Sequence, residues 1–399
     1  MSSDVIVVGA RCAGAPLAML LAQAGKSVLL LDRARFPSDT LSTHWVLRQG
    51  IDLLADWDLL DSLTATGCPP IHRIRMTFGD IVLSGMPSSP TGPAVTYAPR
   101  RIVLDDILVR AARGAGAEVR EGVAVNGVLQ DGGAVIGVKG TEDGKPFTER
   151  AHLVVGADGR NSTIARAVGA GLADDRGALT ATTYAYWSGI GTTGVETQVS
   201  SSRGVSMWPT HDGLTVVGLM MPRKNFLSLR KPAEQVYLDT LGQGGELSEQ
   251  LREGTRETPV RSATNLRNCY RHSHGPGWVL AGDAGYHQDP LGAHGISNAF
   301  SDADQLARAI LRALDGDITM SRSLARYEAR RNADRAASFE FTCAQASLQP
   351  MNDDWGHILA AVTANLETTD QLLGVFAGAR RIEEFFAPAN LSRIAGIAS

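Results

Sequence analysis

Apolar residues in the first third of the chain fall in short unbroken runs that stop at glycine, a pattern of buried parallel strands meeting turns. Val5–Val8 is such a run and ends at Gly9. Ala13–Ala24, rich in alanine and leucine, predicts a helix, and Ser27–Leu31 predicts a second strand that closes on Asp32. Strand, glycine turn, helix and strand within about thirty residues make a βαβ unit. The same order recurs in HLVVGADGRNSTIARAV (152–168), where Asn161 or Ser162 caps the helix. It recurs again in WVLAGDAGYHQDPLGAHGISNAFSDADQLARAI (278–310), with a Pro/Gly loop between Gly282-Asp283 and a long helix. Between 173 and 265 the period changes: TATTYAYWSGI, GVSMWPTHDG and LTVVGLMMP alternate, predicting antiparallel strands with one dry face. Residues 321–399 return to helical spacing, as in ILAAVTANL and LLGVFAGA, and predict helices that brace the first domain or form an oligomer contact. GQGGEL at 242–247 has no strand before it and reads as a loop.

These elements predict an α/β fold: a Rossmann-like domain with a Gly-rich βαβ turn, interlocked with an antiparallel-sheet domain and followed by a helical C-terminal segment. The first domain is expected at 1–72, 97–172 and 266–320, the second at 73–96 and 173–265, and the helical region at 321–399. Composition narrows the function. The 399 residues hold 38 Lys+Arg against 42 Asp+Glu, a net charge of −4, so no global positive field draws nucleic acid or an anionic membrane. Cysteines 12, 68, 269 and 343 are too dispersed for a disulfide framework, and no CxxC or Cys/His cluster suggests a metal. A reducing cytoplasm is expected. The N-terminal MSSDVIVVGARCAG has an acid at Asp4 and an apolar run interrupted by Arg11, so it reads as neither signal peptide nor anchor. No G-x-S-x-G elbow offers a protein nucleophile.

The 43 glycines point to bare backbone at turns. GARCAG supplies Gly9 for a tight turn and Gly14 for close helix–strand approach, but puts Arg11 where the middle glycine of G-x-G-x-x-G would sit. Arg11 must turn away or lie on the phosphates of a dinucleotide held at the helix N-terminus, and Asp32 would accept both ribose hydroxyls.

Together, GARCAG with Asp32, GADG, and the GD and DPLGAHGI motifs, in this order and each at a strand-to-turn junction, resemble the three fingerprints of the class A flavoprotein monooxygenases. This is the para-hydroxybenzoate hydroxylase family, and the likeness spans roughly residues 4–310. FPSDTLSTH and GPGWVLAGDAGYHQDP look like a bacterial branch of FAD-dependent oxidoreductases related to geranylgeranyl reductases and flavin halogenases. The resemblance implies FAD as cofactor, with Gly9, Arg11, Cys12, Ala13, Gly14, Asp32 and Arg33 at its ADP half. Asp158 and Gly159 would serve FAD and the pyridine nucleotide, Gly282 and Asp283 the ribitol, Arg101 the ribitol–phosphate part, and Val125 a further contact. Pro290, Gly292, Ala293, His294, Gly295 and Ile296 would bring backbone to the flavin ring, where the next helix stabilises the reduced anion. Ser42, Thr43 and His44 would lie near the ring, and Arg48 near the phosphates or the nicotinamide donor. His44 and His294 are the candidate acid/base groups, because a histidine near its pKa eases deprotonation of a phenol.

In this family the alternating sheet roofs the substrate cavity. Tyr186, Trp187, Met207, Trp208 and His211 are the candidate linings, although neighbours such as Tyr186 and Trp187 point to opposite faces. No second strand–Gly-turn–helix is visible for NADH or NADPH, so the resemblance implies a transiently docked reductant, then O2 and a flavin C4a-hydroperoxide. The expected reaction is hydroxylation or epoxidation of an aromatic or polycyclic small molecule, by a cytoplasmic monomer or homodimer that binds neither nucleic acid nor membrane. The runner-up is an alkene reductase like the geranylgeranyl reductases. A flavin halogenase loses weight because W-x-W-x-I-P is not found: Trp187 is followed by Ser-Gly and Trp208 by Pro-Thr. A non-catalytic flavin-binding protein has only Arg11 in its favour.

Overall fold

The first apolar run is β1 (Ser3–Val8), followed by α1 (Gly14–Gln23) and β2 (Val28–Asp32), in a computed structural model that describes residues 3–200, 202–243, 246–348 and 353–394. β1 is central. It pairs in parallel with β2 on one side and with the strand Lys145–Gly156 on the other, so that Val5 lies opposite both Val28 and Leu153. Glu118–Glu121 extends the sheet beyond β2, and Trp278–Leu280 extends it beyond Lys145–Gly156, both in parallel. Alternation decides the two faces. Val5 and Val7 pack with Leu17, Leu104, Phe300 and Leu306 under α1, the Arg101–Gly114 helix and the Gly295–Leu314 helix. Ile6 and Val8 pack on the other face with Val123, Val138 and Ile164. That face is covered by an antiparallel meander of Val123–Asp131, Ala134–Glu142 and the first half of Lys145–Gly156, which the sequence pattern did not announce. Because the parallel strands end together, the turns at Gly9, Ala157-Asp158 and Gly282-Asp283 meet along one edge, on both sides of the point where strand order reverses.

The second large sheet runs in the order Thr255–Arg256, Thr180–Ser188, Thr215–Pro222, Arg203–Pro209, Val195–Ser200, Ile74–Phe78 and Ile81–Gly85. It is antiparallel except where Val195–Ser200 pairs in parallel with Ile74–Phe78, a strand delivered from between two parts of the first domain. Tyr184, Tyr186, Trp208 and Val216 point to one face, and Ala185, Met207, Val217 and Leu219 to the other, against Tyr237 of the Ala233–Leu241 helix.

The C-terminal helices divide their work. Met320–Gln345 packs along the Gly295–Leu314 helix and braces the first domain, as expected. Asp353–Thr363 and Leu366–Phe376 instead set Leu359, Val362, Leu372 and Leu373 against Ile74, Leu83 and Tyr184 of the second sheet. The loop expected at 242–247 is shorter than that, because Glu246–Leu251 forms a helix whose Leu247 and Leu251, four apart, are buried together; Gly244 and Gly245 lie outside the described residues. Among the described residues no helix is long and apolar enough to cross a membrane.

Candidate cofactor and substrate site

The three glycine turns pack on one another with no room for side chains. A Cβ at Gly14 would stand 1.8 Å from the carbonyl oxygen of Gly9, one at Gly9 (φ +103°) 2.4 Å from that of Ala157, and one at Gly282 (φ +57°) 2.9 Å from the Ala13 Cβ. The sequence therefore places the start of α1, with its free N–H groups, directly against the other two turns. Asp32 is buried and held by two main-chain donors, Ala10 N–H and Ala34 N–H, each at 2.7 Å. Each carboxylate oxygen keeps lone pairs for a further donor. Arg33 is exposed beside it.

Arg11 turns away from the turn. Its guanidinium pairs with Asp105, donates to Ser38 Oγ at 2.9 Å and lies 5.3 Å over the Phe36 ring. Asp105 is fully buried and also accepts two hydrogen bonds of 3.0 Å from Arg101, which is itself buried. The Cys12 thiol, 3.5 Å from the same carboxylate, is pushed up to about 12 by burial and stays neutral. Residues 11, 101 and 105 thus form an Arg–Asp–Arg cluster whose Asp105 and Arg101 are buried and whose Arg11 is one-quarter exposed. Asp105 was not singled out from the sequence, although its spacing of four from Arg101 on one helix was visible there.

The GADG motif is spent on its own helix. Asp158 accepts from Ser162 Oγ at 2.5 Å, from Thr163 N–H at 2.6 Å and from Ile164 N–H at 3.3 Å. Ser162, not Asn161, is the cap residue of Thr163–Ala167 and accepts from Ala165 N–H. In the structure the Asp158 carboxylate oxygens are turned to the helix they cap. Gly159 makes the turn at φ +77°, and Val125 packs on the meander side of the sheet, opposite Gly140. Asp283 differs. Its side chain is 43% exposed, and its nearest ionisable partner, His287, is 3.9 Å away.

The DPLGAHGI loop is a 3₁₀ turn, Pro290–Gly292, capped by Asp289, which accepts from Leu291 N–H at 3.1 Å and is anchored by Thr180 Oγ1 at 2.8 Å. Ala293 takes the left-handed conformation (φ +54°), and Gly295, exposed, opens the Gly295–Leu314 helix. Ile296 buries its side chain in the core, so only its backbone faces the cleft. Burial and the nearby Arg335 charge push His294 down to about 4.

His44 is fully buried in the left-handed region (φ +63°), with Ser42 Oγ accepting its N–H at 3.1 Å. Its Nε2 lies 2.8 Å from the Tyr186 hydroxyl, its ring stacks on Tyr186, and Tyr184 meets it edge-on at 5.6 Å. Burial first, then the guanidiniums of Arg101, Arg261 and Arg100, push His44 down to about 3. Both shifts favour the neutral ring near pH 7. Thr43 is half-buried beside His44. Arg100 lies 5.3 Å over the Tyr186 ring. Among the described residues His44 Nδ1, Trp208 Nε1 and Arg100 Nε are buried without partners.

Two expected linings lie on the opposite face of the sheet from Tyr186. Trp187 and Met207 point to the far side of the sheet, where the Trp187 indole donates to Tyr237 at 2.8 Å. His211 uses both ring nitrogens as a latch, Nδ1 accepting from Arg100 N–H at 3.2 Å and Nε2 lying 2.8 Å from the Thr66 hydroxyl. Arg48 is engaged by Asp52 at 2.6 Å and the Pro93 carbonyl.

Residues 2–342 match the family described as FAD binding domain. The chain belongs to that family. This flavoprotein is 25% identical over 343 residues to a tryptophan 2-halogenase of Chondromyces crocatus, covering 82% of this chain but 64% of the halogenase. It is 25% identical to a digeranylgeranylglycerophospholipid reductase of Methanocella arvoryzae over 82% of each chain. To a 6-methylpretetramide 4-monooxygenase of Streptomyces rimosus it is 28% identical, over 75% of this chain and 73% of that one. In fold it is similar to the flavin-dependent brominase Bmp2, with TM-score 0.83, 19% identity and 98% of both chains covered. The protein is an FAD-dependent oxidoreductase.

The residues present fit FAD on two counts: glycine turns that a single Cβ would fill, and an exposed Asp283 acceptor on the same edge. Asp283→Ala is expected to weaken FAD binding by about 1–3 kcal/mol, since a ligand hydroxyl loses its acceptor; flavin retained at unchanged affinity would remove Asp283 from the site. Acid has a defined effect too. The unfolded His44 takes up a proton as pH falls below about 6.5, while the folded form refuses it until about 3. Stability from neutral His44 is therefore present above pH 6.5 and lost as pH falls toward 3. His44→Asn, which tolerates the left-handed backbone, is expected to flatten the fall in Tm on going from neutral to mildly acidic buffer; an equally steep fall would place the acid sensitivity elsewhere.

Proposed function

We propose that this flavoprotein is an NAD(P)H-driven monooxygenase that hydroxylates or epoxidises an aromatic or polycyclic small molecule. The observation that carries the reading is the His44–Tyr186 pair, buried at 2.8 Å within an aromatic wall of Tyr184 and Trp208. A wall of rings fits a flat substrate, and unpartnered polar atoms on His44, Trp208 and Arg100 fit one carrying oxygen functions. Bound FAD supplies the redox and oxygen chemistry. The protein's part is to hold the N–H groups at the start of the Gly295–Leu314 helix toward developing negative charge, and to exclude water with the sheet. Neutral His44 offers the ring nitrogen that Tyr186 leaves free as a hydrogen-bond partner for a substrate oxygen. The 6-methylpretetramide 4-monooxygenase among the relatives supports this reading. Alkene reduction, the alternative to which a digeranylgeranylglycerophospholipid reductase among the relatives would point, is less well served, because a long hydrocarbon would leave those polar atoms buried and unpaired. Arg11, the one argument for a non-catalytic protein, is turned onto Asp105 and leaves the glycine turn clear.

Anaerobic stopped-flow absorbance with NADH or NADPH tests the proposal. A phenol or polycyclic aromatic is expected to accelerate flavin bleaching in the wild type and to lose that effect in His44→Asn. Bleaching that no aromatic accelerates, or that is accelerated equally in the variant, would contradict the role given to this wall.

A further inference from the structure

The long Met320–Gln345 helix does more than brace the first domain. It is stitched to the Gly282 turn from below: Arg331 donates to Ser273 Oγ at 2.9 Å, Glu328 accepts from Ser273 N–H at 2.7 Å, and Arg335 pairs with the buried Asp302 at 2.5 Å. Asp302 in turn accepts from Gly282 N–H at 2.7 Å. Arg335 is 5% exposed, lies 5.0 Å over the Tyr286 ring, and donates through Nη2 to the Asn298 carbonyl at 2.7 Å. Its Nη1 and the side-chain amide nitrogen of Asn298 are both buried, and neither has a partner among the described residues. Both residues line one small crevice, together with Gly282, Asp283 and Gly295, at the N-terminal end of the Gly295–Leu314 helix.

A guanidinium cannot shed its proton, so a buried N–H of Arg335 needs an acceptor. None of the described residues accepts from its Nη1. The bordering carboxylate of Asp283 selects between kinds of acceptor: it repels a free anion but accepts readily from a hydroxyl. Two donors facing one acceptor suit a chain of hydroxyl and carbonyl oxygens, which is the chemistry of a ribitol leading into a flavin. We infer that Arg335 and Asn298 donate hydrogen bonds to an oxygen of bound FAD beside Asp283, so that the C-terminal helical region completes the cofactor site. This rests on FAD being the ligand of the glycine turns.

The inference separates affinity from stability. Asn298→Leu removes an amide nitrogen that has no partner in the protein, so the apoprotein is expected to keep its Tm while the Kd for FAD rises about ten-fold, the loss of one good hydrogen bond to a ligand. Arg335→Lys keeps a cation for Asp302 but loses the Nη1 donor, and is expected to weaken FAD by a similar factor. The experiment is titration of each apoprotein with FAD by flavin fluorescence, alongside thermal unfolding of the same samples with and without chloride or inorganic phosphate. Unchanged FAD affinity in both variants would overturn the inference. So would an Arg335-dependent rise in Tm with phosphate or chloride at unchanged FAD affinity, which would make the crevice a free-anion site. Failure of the wild-type protein itself to take up FAD would instead sink the cofactor assignment on which the inference stands.

Discussion

Gly14→Val is expected to yield protein without FAD. The reason is local and geometric: any Cβ at this position would sit 1.8 Å from the Gly9 carbonyl oxygen and 3.0 Å from the Val7 side chain. Backbone on that side cannot yield, because Gly9 is held by a 2.7 Å hydrogen bond to the Leu31 carbonyl and is itself packed on Ala157. Helix α1 must therefore move out, and with it the N–H groups at its start and the contact between Ala13 and Gly282. All three turns are disturbed by one substitution. The expected result is a flavin-to-protein absorbance ratio near zero in whatever soluble protein is recovered. Gly356→Ala is the control: it lies in the Asp353–Thr363 helix, its added Cβ would meet nothing within 4 Å, and it should keep full flavin content. Stoichiometric FAD in Gly14→Val would mean that the first turn is not the cofactor cradle.

The second large effect is expected from Asp105→Ala. This carboxylate has no exposure and balances two guanidiniums, Arg11 and Arg101, the second of them also buried. Removing it leaves like charges facing each other in the core, and breaking a buried pair by deleting one partner costs about 3–5 kcal/mol. Chemical denaturation should show that loss as a lower midpoint. Arg11→Met, whose parent side chain is one-quarter exposed and also bonded to Ser38, should cost much less. Near-equal losses for the two variants would contradict the view of Asp105 as the common counter-ion.

What was legible in the chain follows from where the information is local. The strand runs, the glycine turns and Asp32 were readable because a buried parallel strand, a positive φ and a close backbone approach each demand particular residues at adjacent positions. The alternating segments announced a sheet, but not which face met the cleft. Tyr186 and Trp187 are consecutive, and the choice was made by Tyr237, fifty residues later, which takes the Trp187 indole. Asp158 accepts from Ser162 and Thr163 at the start of its helix, contacts that the GADG spacing did not announce. The ionisation of the two histidines was not legible in the chain. Their ionisation is set by burial and by arginines brought from distant elements, neither of which spacing reports. Arg335 and Asp302 were invisible as a pair because their meeting depends on how the Met320 helix docks on its predecessor.

The central claim, that the His44–Tyr186 wall receives an aromatic substrate for oxygenation, is tested most directly by product mass under isotopically labelled O2. The FAD-loaded protein would be supplied with NADPH or NADH and with whichever aromatic compound most accelerates flavin bleaching. The expected product is heavier by one oxygen atom and carries the label. A product that gains two hydrogens and no labelled oxygen would contradict the claim and establish alkene reduction in its place.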